Sequence, residues 1–345
     1  FTVDILTAEK KQWVEGNGIN CVPINMASFN NFLKLYTFNK GTTKYLKRHF
    51  NNYICILDMD RTTFQTHIRA GGGCHKAWLE RRKKISPIYK TASFYLNPFH
   101  RYMLMIEKGS LKNPFLKKLI CISNMVKNDF LKYYDIDEQK VCVAHNGVEW
   151  EELEKPFTES LAQKNIILQS LGLKKDNFNF LFVGSGYERK GVANIIKAMK
   201  MLPKDSNLLV IGKDRDIDKY ARLANKEGVL ERIQFLGPRS KTDVIRFLQA
   251  ADSFVVPSFY EPFGSAALEA LAMGLFTITS ASTGCSEIIK DDCGIIVKNP
   301  YDADELASAM KQAIRLYDRN KIRESVKEYS FKKKLDELIK ICVDT

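Results

Sequence analysis

None of the eight cysteines, at positions 21, 55, 74, 121, 142, 285, 293 and 342, forms a CxxC pair with another. Neither a zinc framework nor a dense disulfide scaffold organises such a chain, and scattered thiols suit a reducing cytosol. Long apolar runs are also missing, because a polar or charged residue soon interrupts each. Such a pattern provides no membrane-spanning helix and no signal-peptide core. The GK[ST] of a Walker loop is absent, as are zinc-finger and RNP-type aromatic motifs, which removes the commonest sequence-specific nucleic-acid readers.

What is present is a chain of 345 residues, 45% apolar, enough for two domains. The net charge of +13 is uneven: residues 1–150 hold 23 Lys and Arg against 12 Asp and Glu, and the remainder holds 30 against 28. A basic first half points to an anionic partner, whether phospholipid, anionic glycolipid or nucleic acid, with a plain solvated surface as the alternative.

Apolar periodicity predicts strands at 1–7, 19–24, 53–57, 66–70, 119–122 and 141–144, with helices over 31–50, within 77–112 and before 134. Residues 1–148 form one domain on this reading. The charged stretch 149–175, with Pro156, reads as a hinge. From 176 to 325 strand and helix alternate, with strands at 180–183, 208–211, 233–236, 253–256, 276–279 and 294–297. That alternation predicts a doubly wound parallel α/β sheet whose binding crevice lies at the carboxyl ends of its strands. Residues 326–345 read as a C-terminal helix returning to the first domain.

Two of those strand ends carry the chemistry. After 180–183 comes Gly184-Ser185-Gly186-Tyr187-Glu188-Arg189-Lys190-Gly191. Glycines let backbone approach an anion, a following helix presents N–H groups, and two cations add full charges. A turn bearing two solvated cations is the competing reading. After 253–256 comes Ser258-Phe259-Tyr260-Glu261-Pro262-Phe263-Gly264, leading into a helix of Ala, Leu, Ser and Met that contains Glu269. A carboxylate on a buried helix is costly unless something hydrogen-bonds it. Ligand hydroxyls meet that need, and so does a structural Lys or Arg.

The E-x7-E spacing of Glu261 and Glu269, with Arg189-Lys190-Gly191, Phe235-Leu236-Gly237, Ala251-Asp252 and the stretch from Lys140 to Val148, resembles the retaining GT-B glycosyltransferases of family four, including the glucosyltransferases of lipopolysaccharide core assembly. The resemblance covers most of residues 119–317. It implies two Rossmann-like doubly wound domains facing across a cleft, and a nucleotide-sugar donor such as a UDP-hexose with no metal or other cofactor.

It further implies that Glu261 contacts the donor sugar hydroxyls and Glu269 the ribose. Arg189 and Lys190, with Lys213, would neutralise the diphosphate, Gly186 would lie in the phosphate turn, and Phe263 and Gly264 would touch sugar and phosphate through backbone. Gly237, Pro238 and Arg239 would lie under the base, and His75 resembles the family's cleft histidine beside the donor sugar. The expected partners are a glycolipid or glycan acceptor and an anionic membrane surface at the cytoplasmic face, without nucleic acid.

The sequence departs from the family pattern twice. It begins after the usual first strand, glycine loop and helix, so that unit of the first domain is expected to be missing. It also has Ser185 where many members carry Arg. Asp58-Met59-Asp60 has the spacing of a DxD metal motif, but an Asp pair at a strand end is more often a turn. Cations and aromatics alternate from Ala77 to Leu111, a mixture that suits a membrane interface and equally a core with a solvated face. A GT-B nucleotide-sugar epimerase and a non-catalytic polyanion-binding protein are the alternatives to a transferase, separated from it by product and by binding assays.

Overall fold

The computed structural model describes residues 2–8, 18–83, 94 and 96–345. These form two compact units, one of residues 1–122, 126–143 and 339–345 and the other of 123–125 and 144–338. Lys84, Lys90 and Tyr95 of the cation–aromatic stretch lie outside the described residues.

The first unit contains a parallel pair, β1 (Val3–Thr7) with β2 (Ile19–Pro23), and a parallel four-stranded sheet. The latter is ordered β3 (Leu57–Asp58), β4 (His67–Ala70), β5 (Lys118–Cys121), β6 (Val141–Val143). The strand expected over 53–57 shrinks to β3. Ile56 is diverted first: its N–H donates to the Thr66 hydroxyl (2.8 Å), and its carbonyl accepts from both Thr66 N–H and His67 N–H (3.0 Å each). Asp58 ends β3 as a turn, accepting from the N–H groups of Asp60 (3.1 Å) and Thr62 (2.9 Å). Both carboxylate oxygens are thus used by backbone, and the described residues contain no cluster of metal-ligating side chains.

Helices α1 (Asn31–His49), α2 (His75–Lys83), α3 (Pro98–Leu111) and α4 (Asn124–Tyr133) complete most of this unit. The cation–aromatic stretch divides between core and surface. Arg81 forks onto Asp129 with two bonds of 2.8 Å, Arg82 lies over Trp78 and Phe94, and Phe94 and Ile106 are buried while Leu96 and Met105 are exposed. No described helix is long and apolar enough to cross a membrane.

The second unit is built on six parallel strands ordered β12-β11-β10-β7-β8-β9: β7 (Phe178–Val183), β8 (Ser206–Ile211), β9 (Ile233–Gly237), β10 (Ser253–Val256), β11 (Phe276–Ser280) and β12 (Gly294–Val297). Continuous apolar strands such as Phe180-Leu181-Phe182 are wholly buried, as a sheet covered on both faces requires. Chain order runs outward from β7 through β8 to β9, then jumps to β10 on the other side of β7. The switch point therefore lies between β7 and β10, where the loops after these strands diverge and open a crevice.

The stretch read as a hinge is helical, as α5 (Glu154–Ala162) and α6 (Lys164–Ser170), and belongs to the second unit. Pro156 sits in the first turn of α5, where a helix has no use for the missing N–H. The last helix, Phe331–Val343, begins in the second unit, and its residues from Ile339 onward count with the first.

Candidate active site

The two loops that flank the switch point carry the residues singled out above. After β7, Gly184 to Gly186 lead into a single helical turn, α7 (Tyr187–Lys190), and Gly191 then starts α8 (Val192–Met199). The expected helix end facing an anion is partly occupied: Tyr187 N–H donates to the Asp214 carboxylate (2.7 Å). Gly186, with φ +76°, donates its N–H to the Lys213 carbonyl (3.0 Å), and Lys213 N–H donates to the Ser185 hydroxyl (3.1 Å). These bonds tie the β7 and β8 loops together and leave the Lys213 side chain exposed. Asp214 is the member of this loop pair that sequence reasoning missed, because an Asp after a strand looks like any other turn residue.

Arg189 and Lys190 converge on Glu261 from the loop after β10. Arg189 Nη1 and Lys190 Nζ both donate to Glu261 Oε2 at 2.7 Å, and Arg189 Nη1 also reaches the Tyr260 carbonyl (2.8 Å). Lys190 passes directly over Gly184, where an added Cβ would lie 2.5 Å from Lys190 Cδ. Only glycine allows that route. Burial pushes the Glu261 carboxyl up, but Lys190 and Arg189 outweigh it and hold the group below its ordinary range. Two cations against one carboxylate leave the cluster net positive.

Glu261 is fixed by its backbone as well, pairing in a short parallel bridge with Thr283. Its N–H donates to Ser282 (3.0 Å) and its carbonyl accepts from Gly284 (2.9 Å). Beyond it, Phe263 is buried and Gly264 takes φ +95° at the amino end of α9 (Ser265–Ala272). A Cβ on Gly264 would meet Thr283 Cγ2 at 2.9 Å and Glu261 Cγ at 3.3 Å. In the first turn of α9 the Ala267 N–H donates to the Gly264 carbonyl (2.9 Å), and the N–H groups of Ser265 and Ala266 have no helical carbonyl to bond.

Glu269 lies on α9, whose Ala267, Leu268, Ala270, Leu271 and Ala272 are buried. It is half-buried, and no described residue hydrogen-bonds its carboxylate. Burial pushes this carboxyl above its ordinary range, and the Lys241 ammonium acts against that push. Lys241, however, is ion-paired with Glu152. A lone, half-desolvated carboxylate is the group for which a ligand hydroxyl is the natural partner.

Gly237, with φ +68°, accepts from Gly212 N–H (3.0 Å), and Pro238 and Arg239 beside it are exposed at the end of β9. Sequence reasoning assigned no role to His145 or Glu287, yet His145 Nε2 and Glu287 Oε1 are 2.7 Å apart, and the His145 ring lies 6.0 Å from that of Phe263. Nothing local in sequence connects residues so distant along the chain.

His75 belongs to the first unit. It opens α2, donates its N–H to Glu107 (2.6 Å), and packs against Trp78 and His100. Its Nε2 is buried with no hydrogen-bond partner among the described residues. Burial, then Arg61 and His100, lower its pKa to about 3, so the imidazole is neutral at physiological pH.

A family profile described as "Glycosyl transferases group 1" matches residues 163–333, and one described as "Glycosyltransferase Family 4" matches residues 2–152. The chain belongs to the family 4 (group 1) glycosyltransferases. Among relatives, lipopolysaccharide glucosyltransferase WaaG of Escherichia coli is 27% identical over 227 residues, covering 64% of this chain and 59% of WaaG. The D-inositol 3-phosphate glycosyltransferase of Mycobacterium ulcerans is 27% identical over 202 residues, covering 57% of this chain and 42% of that enzyme. The chain thus spans about half the length of the relatives it matches.

Among solved structures, a WaaG crystal structure superposes with a TM-score of 0.79 at 21% identity, covering all of this chain and 92% of that one. Anabaena HepE, solved in complex with UDP and glucose, gives a TM-score of 0.67 at 17% identity over 95% of this chain and 87% of that one. The fold is the α/β GT-B fold of Rossmann-like units with parallel sheets.

Proposed function

We propose that the chain transfers a hexose from a nucleoside-diphosphate sugar to a glycolipid or glycan acceptor, with retention of anomeric configuration and without a metal. The observation that carries the reading is the pairing, at one switch point, of a net-positive Arg189–Lys190–Glu261 cluster with the unpartnered Glu269. Scission of the anomeric carbon–oxygen bond leaves additional negative charge on the departing diphosphate. Cations already fixed in place stabilise that developing charge more than they stabilise the intact donor. Glu261, kept ionised by the same cations, is suited to accept from sugar hydroxyls, and Glu269 from the ribose.

On this reading the acceptor hydroxyl attacks from the face the diphosphate leaves, and a phosphate oxygen takes its proton. No carboxylate nucleophile is needed, and His75, neutral and enclosed, is a hydrogen-bonding group at most. The WaaG relationship supports an acceptor in lipopolysaccharide core or other cell-envelope glycan synthesis, and the HepE complexes support a UDP-linked donor. The basic first half suits peripheral attachment to an anionic cytoplasmic leaflet. The test is incubation with nucleotide sugars and lipid-linked core acceptor in EDTA, with the product's anomeric configuration read by proton NMR. A retained linkage formed in chelator is expected. An inverted linkage, an isomerised donor without transfer, or dependence on added divalent metal would each overturn part of the proposal.

A further inference from the structure

The final turn of the chain lies on the sheet face of the first unit, where three cysteines gather that the proposed transfer does not use. His67 and Arg69 point to the same side of β4, two residues apart. Register carries Arg69 through Ile120 to Cys142 on β6, so Cys142 shares that face. The end of the last helix comes down here: Thr345 Oγ1 is 2.8 Å from His67 Nε2. The other ring nitrogen, His67 Nδ1, is 3.2 Å from Cys55 Sγ and 2.9 Å from Thr66 Oγ1. Cys342, one turn before Thr345, sits beside Cys55, and each thiol shifts the other's ionisation. Cys55 is half-buried and Cys342 buried, and both are free thiols.

We propose that Cys55 and Cys342 form a redox modification site, a thiol pair that hydrogen peroxide converts to a disulfide fastening the C-terminal turn to the first unit. The chemistry needs one nucleophilic thiolate and one resolving thiol. The neighbouring Cys342, opposed by burial and joined by His67, holds the Cys55 thiol below its ordinary range, whereas the Cys342 thiol is raised. Cys55 also has His67 Nδ1 at 3.2 Å to take its proton, which makes it the attacking sulfur. Its thiolate takes one oxygen of the peroxide and the O–O bond breaks; the released hydroxide collects the proton Cys55 gave up to His67, leaving water. The Cys342 sulfur then displaces hydroxide from the Cys55 sulfenic acid, and that hydroxide leaves as water with the Cys342 proton. Two thiols and one peroxide give one disulfide and two waters.

The inference is independent of the transferase reading, since none of its residues belongs to the second unit. The test treats the full chain with equimolar hydrogen peroxide, blocks remaining thiols with N-ethylmaleimide and maps peptides without reduction. A Cys55–Cys342 linked peptide is expected as the main product, with the other six cysteines alkylated. In Cys342→Ser, dimedone should trap a sulfenic acid at Cys55; in Cys55→Ser, Cys342 should remain a thiol. Iodoacetamide at pH 6 should label Cys55 at least tenfold faster than Cys21, and His67→Gln should reduce that ratio. Oxidation of Cys55 to sulfinic acid without a link, a different pairing, or labelling of Cys55 no faster than Cys21 would each overturn the proposal.

Discussion

Replacing Glu261 by Gln tests the charge balance at the switch point, because it removes one negative charge and keeps the shape. Breaking a buried ion pair by removing one partner costs about 3–5 kcal/mol. Here the Arg189 side chain is 36% exposed and that of Lys190 12%, against 16% for Glu261, so solvent screens part of the loss and about 2 kcal/mol is expected. For a unit of this size that is a fall in Tm of roughly 4–8 °C. The same substitution doubles the uncompensated positive charge offered to a diphosphate. At an effective dielectric of about 20, one unit charge several ångströms away contributes about 1–2 kcal/mol. The variant should therefore bind the preferred free nucleoside diphosphate roughly tenfold more tightly while transferring sugar far more slowly. Thermal melts and calorimetric titrations with UDP, ADP and GDP, at low and high salt, read both effects. A variant as stable as the parent, or one that binds every nucleoside diphosphate more weakly, would rule out this charge balance.

Other outcomes follow from the same groups. Glu269→Ala removes a carboxylate that burial disfavours, so the free chain should melt no lower than the parent, while nucleotide affinity falls about tenfold or more, the worth of a charge-assisted bond. Since the folded Glu269 pKa is raised, its ionisation costs stability as pH rises from the unfolded value through the folded one. Lys241→Met should shift the folded value further upward, moving the acidic limb of nucleotide binding to higher pH in a titration series. Glu261 has the opposite sign: its folded pKa is lowered, so it contributes stability above about pH 4.5, lost as pH falls through the folded value. Glu261→Gln should therefore flatten acid denaturation in that range.

Much of the second unit was legible in sequence because its strands are short apolar runs at regular spacing, each ended by a glycine or a turn. Both loops of the switch point could be located from that alternation alone. The ion pairing of Arg189 and Lys190 with Glu261 could not, since it depends on two loops far apart in sequence meeting in space. The helices within residues 149–175 were not legible, because charge and a proline resemble a linker, whereas Pro156 in a first helical turn breaks nothing. In the first unit, apolar residues 53–57 resemble a strand, but the Thr66 hydroxyl captures Ile56 before a ladder can extend. His75 was recognisable as a residue of interest, but its enclosure among Trp78, His100 and the Glu107 contact is tertiary and leaves no local signal.

On the proposed reading, Glu269 stands without a protein partner because a nucleotide sugar supplies one. Calorimetric titration of UDP-, ADP- and GDP-linked hexoses into the parent chain and Glu269→Ala tests it most directly. Saturable binding of at least one of these donors to the parent, and at least tenfold weaker binding to the variant, is expected. Equal affinity in both chains, or no binding of any donor to the parent, would contradict it.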